Sequence, residues 1–485
     1  PPTPTATPGI QIRRGGTRKE RTQDFVPTFD VHNAISGQHT PATGKFYNNL
    51  LFNSGELVIE CDLCSEWHLE DNGKTMVFTL IKGVKFHSGK ELTSKDVAYS
   101  LNKIMGYVDG VVSGRSGVMK EYIDKIETPD PYTVKLRLPG PSAFMPKVLA
   151  IVFSGIVEDG TTRDQLQEKP YGSGAYIMQS MERGSVIRVA KNPNYFKKSV
   201  PYMDGIDVFT IKEESAAISA FLTNRIDITS ASTGVPKSWD PQYAQLAKDG
   251  KITRLPYNTA CRPQGAVFNI TRPPFDNLKV RQAVNLAIDR KAYIAVVHEG
   301  KAGPALVFSP GPDTGRTEAD FWDKMPGFGT GDNKKKEIEQ AKKLMAEAGY
   351  PDGFTTDQYV RNLSQYMRQG EYLASDLAKI GIKTRQKIMD SAEMFPMMEQ
   401  LNYNFAAYWF CQNTGDPDEM WSGYFITGAS RNWTGYVNPE IDKLYKQQSQ
   451  EVDEKKRQAI NRQMEDIIVR DLPIAFTAEQ WGEAA

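Results

Sequence analysis

The stretch FTLIKGVKFHSGKELTSKDVAYSL, residues 78–101, holds a strand, a turn and a capped helix in one piece. Met76 to Leu80 alternates as a half-buried strand does. Lys82-Gly83 breaks the run and Val84-Lys85-Phe86 restarts it, so the local pattern predicts a hairpin across 76–86. After His87-Ser88-Gly89-Lys90 the chemistry changes. Thr93 stands where a helix N-cap belongs. Asp96, three residues on, completes a capping box with aspartate in the usual glutamate position.

Working outward, residues 132–138 alternate cleanly as another strand. From Gly172 the pattern is strand-rich, with strands at 174–177, 186–189 and 206–211, a turn at Asn192-Pro193-Asn194-Tyr195 and a helix over 214–223. Past Pro256 helices dominate: 280–298, 334–348, 364–380, 391–401 and 439–470. Gly349 and Pro351 form a helix stop. The change of character marks a domain boundary near residue 260, and no internal repeat appears at solenoid periods.

A second stretch, FAAYWFCQNTGDPD at 405–418, runs apolar and aromatic, then turns polar and meets Gly415-Asp416-Pro417. Phe405, Tyr408, Trp409 and Phe410 suit a strand, and the residue before proline is pushed off the helical region, forcing a turn. Two readings stand side by side: the wall of a ligand cleft, or a core strand followed by a helix capped by Asp416 or Asp418.

The whole chain has 485 residues, too many for one core. Its 59 basic and 59 acidic residues cancel, which removes any broad electrostatic case for nucleic acid or an anionic membrane. No apolar run approaches the roughly 20 residues of a membrane span. Residues 1–9, PPTPTATPG, read as a tether with nothing to bury, suited to holding a globular body away from a membrane anchor. The four cysteines are Cys61, Cys64, Cys261 and Cys411. The lone Cys61-x-x-Cys64 pair lacks the second pair a zinc site would want, and an extracytoplasmic location favours disulfides. Nucleophile-elbow, phosphate-loop and dinucleotide-loop patterns are absent. A hydrolase built on two carboxylates stays open, as does an adhesive surface protein.

The 78–101 stretch resembles the F-x-L-R-x-G-V-K-F-H-x-G-x-x-x-T-A-x-D-V-x-x-S-L block of the family 5 extracellular solute-binding proteins, the peptide- and nickel-binding receptors of ABC importers. Further blocks recur in order: PYGSGAY (170–176), KNPNYF (191–196), PPFDNLKVRQAVNLAIDRKAYIAVVHEGKAGPA (273–305), AKKLMAEAGYPDGF (341–354), LAKIGIKT (377–384) and NWTGYVNPEIDKLY (432–445). These blocks are scaffold, with Arg281, Asp289 and Arg290 read as ties between elements.

The resemblance implies an α/β, bilobal periplasmic-binding-protein-like fold of type II. Residues 10–47, 169–260 and 476–485 would form the first lobe, 48–168 a subdomain inserted in it, and 261–475 the second lobe. A solute would bind between the lobes, near crossovers at 258–262 and 474–478, and a monomer anchored outside the cytoplasm would deliver it unchanged to a membrane permease. Expected ligand-binding residues are Ser36, Gly37 and Gln38 in the N-terminal loop, with Tyr408, Trp409, Phe410, Asn413 and Asp416; no catalytic residue, cofactor or resident metal is expected. Oligopeptide receptors of the family also carry cysteines near the places of Cys261 and Cys411, which implies a disulfide between them, and Cys61 can bond Cys64.

Two departures stand out. The chain ends sooner after 471–476 than family members usually do. In peptide receptors an aspartate shortly before the D-P-D turn pairs with the peptide ammonium, and alignment on Gly415-Asp416-Pro417-Asp418 puts Asn413 there. An amide hydrogen-bonds but cannot neutralise a buried cation. The ligand is therefore expected to be a small polar or neutral solute of oligopeptide size, such as an oligosaccharide or blocked amide, unless Asp416 or Asp418 supplies the charge. The alternative within the family is a haem or metal chelate, bordered by His32 and His39.

Overall fold

A computed structural model describes residues 13–24, 26–33, 36–54, 58–228, 239–257, 261–451, 453–480 and 482–484. The 1–9 stretch lies outside them, as do 258–260 at the first expected crossover. The strands sort into sheets by chain segment. One sheet of the first lobe runs Thr17–Thr22, Gly205–Thr210, Val186–Lys191, Tyr176–Glu182, its first pair parallel and the rest antiparallel. A separate antiparallel layer is built from the intervening chain, in the order Cys64–Glu70, Thr75–Leu80, Thr133–Arg137, Lys125–Asp130. The second lobe holds the mixed six-stranded sheet: Ala302–Pro304, Ile474–Gln480, Cys261–Phe268, Phe405–Cys411, Phe354–Arg361, Ile382–Met389. The molecule is thus mixed α/β and bilobal. Ile474–Gln480 runs past residue 475 while staying paired to the second-lobe strands, and Gly482–Ala484 then pairs with Leu255–Tyr257.

The expected helix start is present. Asp96 accepts the Thr93 backbone N–H at 2.8 Å, and the helix Ser94–Ile104 buries Val97, Leu101 and Ile104. The expected hairpin across 76–86 is not. Thr75–Leu80 pairs with Cys64–Glu70 through a turn whose residues Asp71, Asn72 and Gly73 all have positive φ, and with Thr133–Arg137 on its other side. Residues 85–91 close on themselves instead. The Phe86 N–H bonds the Lys90 carbonyl at 2.9 Å, and Glu91 accepts the Gly83 N–H at 2.9 Å. That tight loop leaves 84–86 a single bridge, Lys85 to Glu91.

Two long helical patterns also divide. The 280–298 run becomes Leu278–Ala287 and Arg290–Val297, because Asp289 turns its side chain to the Ala292 N–H at 3.0 Å and caps a second helix. Likewise 439–470 becomes Pro439–Gln448 and Glu454–Asp471, capped by Asp453 on the Lys456 N–H at 2.9 Å. A short acidic side chain that bonds nearby backbone restarts a helix where periodicity alone reads it as continuous. Arg281 and Arg290 tie elements as expected. Arg281 donates to the Phe275, Asp471 and Leu472 carbonyls, and Arg290 to those of Asn285, Gly327 and Phe476. Cys61 and Cys64 form a disulfide, with Cα atoms 5.1 Å apart.

Candidate ligand-binding site between the lobes

Strand Phe405–Cys411 lies between Cys261–Phe268 and Phe354–Arg361 and is buried along its whole length. Tyr408 meets Trp433 edge-on at 4.7 Å, and Phe410 meets Tyr424 at 5.0 Å and Phe476 at 5.6 Å. Trp409 packs on Tyr366 at 5.3 Å and on His298 at 5.8 Å. The three aromatics are therefore part of the second-lobe core, in keeping with a core strand, and reach the lobe boundary through Tyr366.

Tyr366 holds the residue around which that boundary is built. The Arg361 guanidinium donates to the Tyr366 hydroxyl at 3.0 Å and lies over its ring at 4.8 Å. From the second lobe it reaches Asp24 Oδ2 at 3.2 Å and Ser36 Oγ at 3.1 Å in the first, and Ser391 at 2.6 Å in its own. Ser391 also donates to Asp24, and Gln365 donates to Gln23 at 3.1 Å. Burial works against the Arg361 charge, but Tyr366, Tyr408 and Asp24 outweigh it and hold its pKa above the ordinary value. Ser36 is thus brought to the boundary, Gly37 opens the turn Gly37–His39 beside it, and the Gln38 side chain lies outside the described residues.

The turn after Cys411 makes the second seam. Glu419 accepts from Asn413 N at 2.5 Å and Nδ2 at 2.7 Å, and from Thr414 N at 2.8 Å and Oγ1 at 3.0 Å. Asp416 caps the helix Pro417–Met420 through the Asp418 N–H. Its carboxylate meets Lys147 of the inserted layer at 2.7 Å and Arg457 at 2.5 Å. Burial opposes ionisation of Asp416, yet Arg457 and Lys147 keep its pKa below the usual carboxylate range. Asp418 accepts from the Tyr122 hydroxyl at 3.0 Å and from Gln448. Burial, then repulsion from Asp416, pushes its pKa up to about 7. Asp416 and Asp418 thus serve the seam between lobes. Pairing sets Cys261 opposite Cys411, and the Cys261 side chain lies outside the described residues.

Beside this second seam is a cavity of about 140 Å³, lined by Asn53, Ile59, Lys147, Phe153, Asn413 and Thr414 among others. Asn413 is the expected site residue that reaches it. Nothing in the sequence motifs marks Arg361 or Asp24 as site residues. The available signal was Arg361 itself, a lone cation closing the strand Phe354–Arg361. His32 is held by the Gly155 carbonyl at 2.7 Å, and burial lowers its pKa to about 4 against the pull of Asp30. His39 lies 4.0 Å from Asp24. Among the described residues no cluster of three His, Cys, Asp or Glu could hold a metal ion, and no helix is long and apolar enough to cross a membrane.

Residues 58–432 match the model of the bacterial extracellular solute-binding proteins, family 5. The chain belongs to that family. Among curated family 5 relatives, heme-binding protein A of Haemophilus influenzae is 26% identical over 92% of this chain and 84% of its own length. The glutathione-binding protein GsiB of Salmonella choleraesuis is 25% identical over 92% of this chain and 85% of its own. Among solved structures, the periplasmic binding protein DppA of Helicobacter pylori, in complex with peptide STSA, superposes with a TM-score of 0.83 at 24% identity. That superposition covers 98% of this chain and 94% of that one. It establishes the bilobal fold.

Proposed function

We propose that this family 5 protein is an extracytoplasmic receptor that closes its two lobes on one small polar solute and passes it, unchanged, to an ABC-importer permease. The observation that carries the reading is the Asp24–Ser36–Arg361–Ser391 network, which joins side chains of both lobes in a buried polar seam beside the aromatic strand. Such a seam must form when the lobes close and come apart when they open, as hinge closure of binding proteins requires.

In this reading the receptor is monomeric, periplasmic or displayed at the cell surface, and lipid-anchored ahead of residue 10. The solute is of oligopeptide size and is not anchored by a free ammonium at Asn413, whose amide is already donated to Glu419. Peptides, glutathione and haem, named for the relatives above, set the first panel. Small-angle scattering should report compaction with the bound member and mass spectrometry its recovery intact; steady conversion of that member to a product would sink the proposal. Haem is the specific second reading, carried by the Haemophilus relative, and a Soret shift on titration separates it from the rest.

A further inference from the structure

Resting on the receptor reading above, we propose that Arg431, with Arg115 beside it, receives a carboxylate of the captured solute where the inserted layer meets the second lobe. Arg431 is 2% exposed. Its Nη1 donates to the Tyr424 hydroxyl, and its plane lies 4.2 Å over the Tyr424 ring. Its Nη2 stops 4.0 Å from Glu419, beyond hydrogen-bonding reach, and its Nε has no hydrogen-bond partner among the described residues. A buried guanidinium with so few bonds is costly. Glu419 cannot answer that need, since Asn413 and Thr414 already place four donors on its two oxygens.

Arg115 brings a like charge from the other side. It is buried in the inserted layer, lies over the Phe153 ring at 5.3 Å, and its field reaches Arg431, Tyr408 and Tyr366. An anion docked on the open edge of Arg431 would lie in the field of both guanidinium groups, one from each side of the boundary. Space lies at hand. Phe153, under Arg115, and Asn413 and Thr414, on Glu419, all line the 140 Å³ cavity. The position is also built to admit Arg431, because a Cβ at Gly423 would stand 2.7 Å from its Nη2. Arg361 is a separate matter, its charge being met by Asp24. A guanidinium with an open edge matches a carboxylate, which accepts from its fork in two parallel bonds.

The test uses the full chain and a defined pool of tripeptides, glutathione and small organic acids, each as the free acid and as the fully amidated form. Protein is re-isolated by gel filtration and unfolded, and the retained species are quantified by mass spectrometry. Wild type should retain acids over their amides by about tenfold or more. Arg431→Met should bring that ratio near unity, and Arg431→Lys should keep part of it, with thermal melts showing that both fold. Should Arg431→Met fail to fold, Arg115→Met gives the same reading from the opposite lobe. Equal retention of acids and amides by wild type, or an unchanged ratio in the folded Met variants, overturns this inference alone. Retention of no member overturns the receptor reading and this inference with it.

Discussion

Arg361 donates to Asp24 at 3.2 Å across the lobe boundary, a bond between residues 337 positions apart. Each ion is almost wholly enclosed, so removing Asp24 leaves the Arg361 charge buried without its carboxylate, which typically costs about 3 to 5 kcal/mol. Asp24→Ala should therefore favour the open form, or lower stability outright. Asp24→Asn, which keeps an acceptor for Arg361 and Ser391, should cost less. Scattering and denaturant melts on the two variants separate the outcomes. Equal compaction and equal midpoints in wild type and Asp24→Ala would show that the pair does not hold the lobes.

The Asp418 seam should make closure and stability depend on pH. Tyr122 of the inserted layer donates to Asp418, which is buried beside ionised Asp416 and takes a proton with a pKa of about 7, above the ordinary 3.8. A carboxyl that binds its proton more tightly in the folded protein adds stability that is whole below the unfolded pKa, about 4, and is lost as pH rises through the folded one. Wild type should lose about 3 to 5 kcal/mol relative to Asp418→Asn between about pH 4 and about pH 8. Glu465, also pushed up to about 7 by burial, contributes equally to both proteins and drops out of the comparison. Parallel stability curves for the two would sink the assignment.

What the sequence made legible follows from where the physics is local. The Thr93–Asp96 box and the aromatic strand Phe405–Cys411 could be read because a cap or an apolar run is decided within a few residues. The partner of Thr75–Leu80 could not, because sheet pairing is a long-range choice, and the positive-φ turn at 71–73 that brings in Cys64–Glu70 competes with an equally plausible turn at Lys82-Gly83. The site divides the same way. Asn413 was reached through its place before the Gly-Asp-Pro turn, whereas Asp24, Arg115, Arg361 and Arg431 come from four distant segments. Nothing in their neighbours announces that these charges are buried. Asp416 shows the converse: a carboxylate at a cleft wall looks free in sequence until Lys147 and Arg457 arrive from elsewhere.

Cys261 and Cys411 should form a disulfide. Their backbones stand directly opposite on antiparallel neighbours, an arrangement that sets Cα atoms about 4.5 to 5.5 Å apart, inside the range a disulfide spans. Closing so long a loop would stabilise by about 4 to 5 kcal/mol in the chain-entropy account. Alkylation of the unfolded, unreduced protein should label no cysteine, and peptide mapping should recover both the 61–64 and 261–411 links. Labelling of Cys261 under those conditions would rule the second link out.

Asn413→Asp should not turn this protein into a receptor for free peptide amines. The Asn413 side chain donates to Glu419 at 2.7 Å and its backbone N–H to the other oxygen at 2.5 Å. A carboxylate in its place loses the donor and sets two like charges side by side in a half-buried turn. Losing one such bond to a charged group costs about 1.5 to 3 kcal/mol, and the repulsion adds to it. The turn that positions Thr414 against the cavity would then loosen, so the variant should melt earlier and bind its solute more weakly. Asn413→Gln keeps the donor and separates the loss of charge pattern from the loss of shape. Calorimetry of wild type and both variants against tripeptides with free and acetylated N-termini decides the matter. Wild type should make little distinction between the two forms. A strong preference for the free amine in wild type, unchanged in Asn413→Asp, would place an ammonium anchor elsewhere in the cleft and remove Asn413 from the account of specificity.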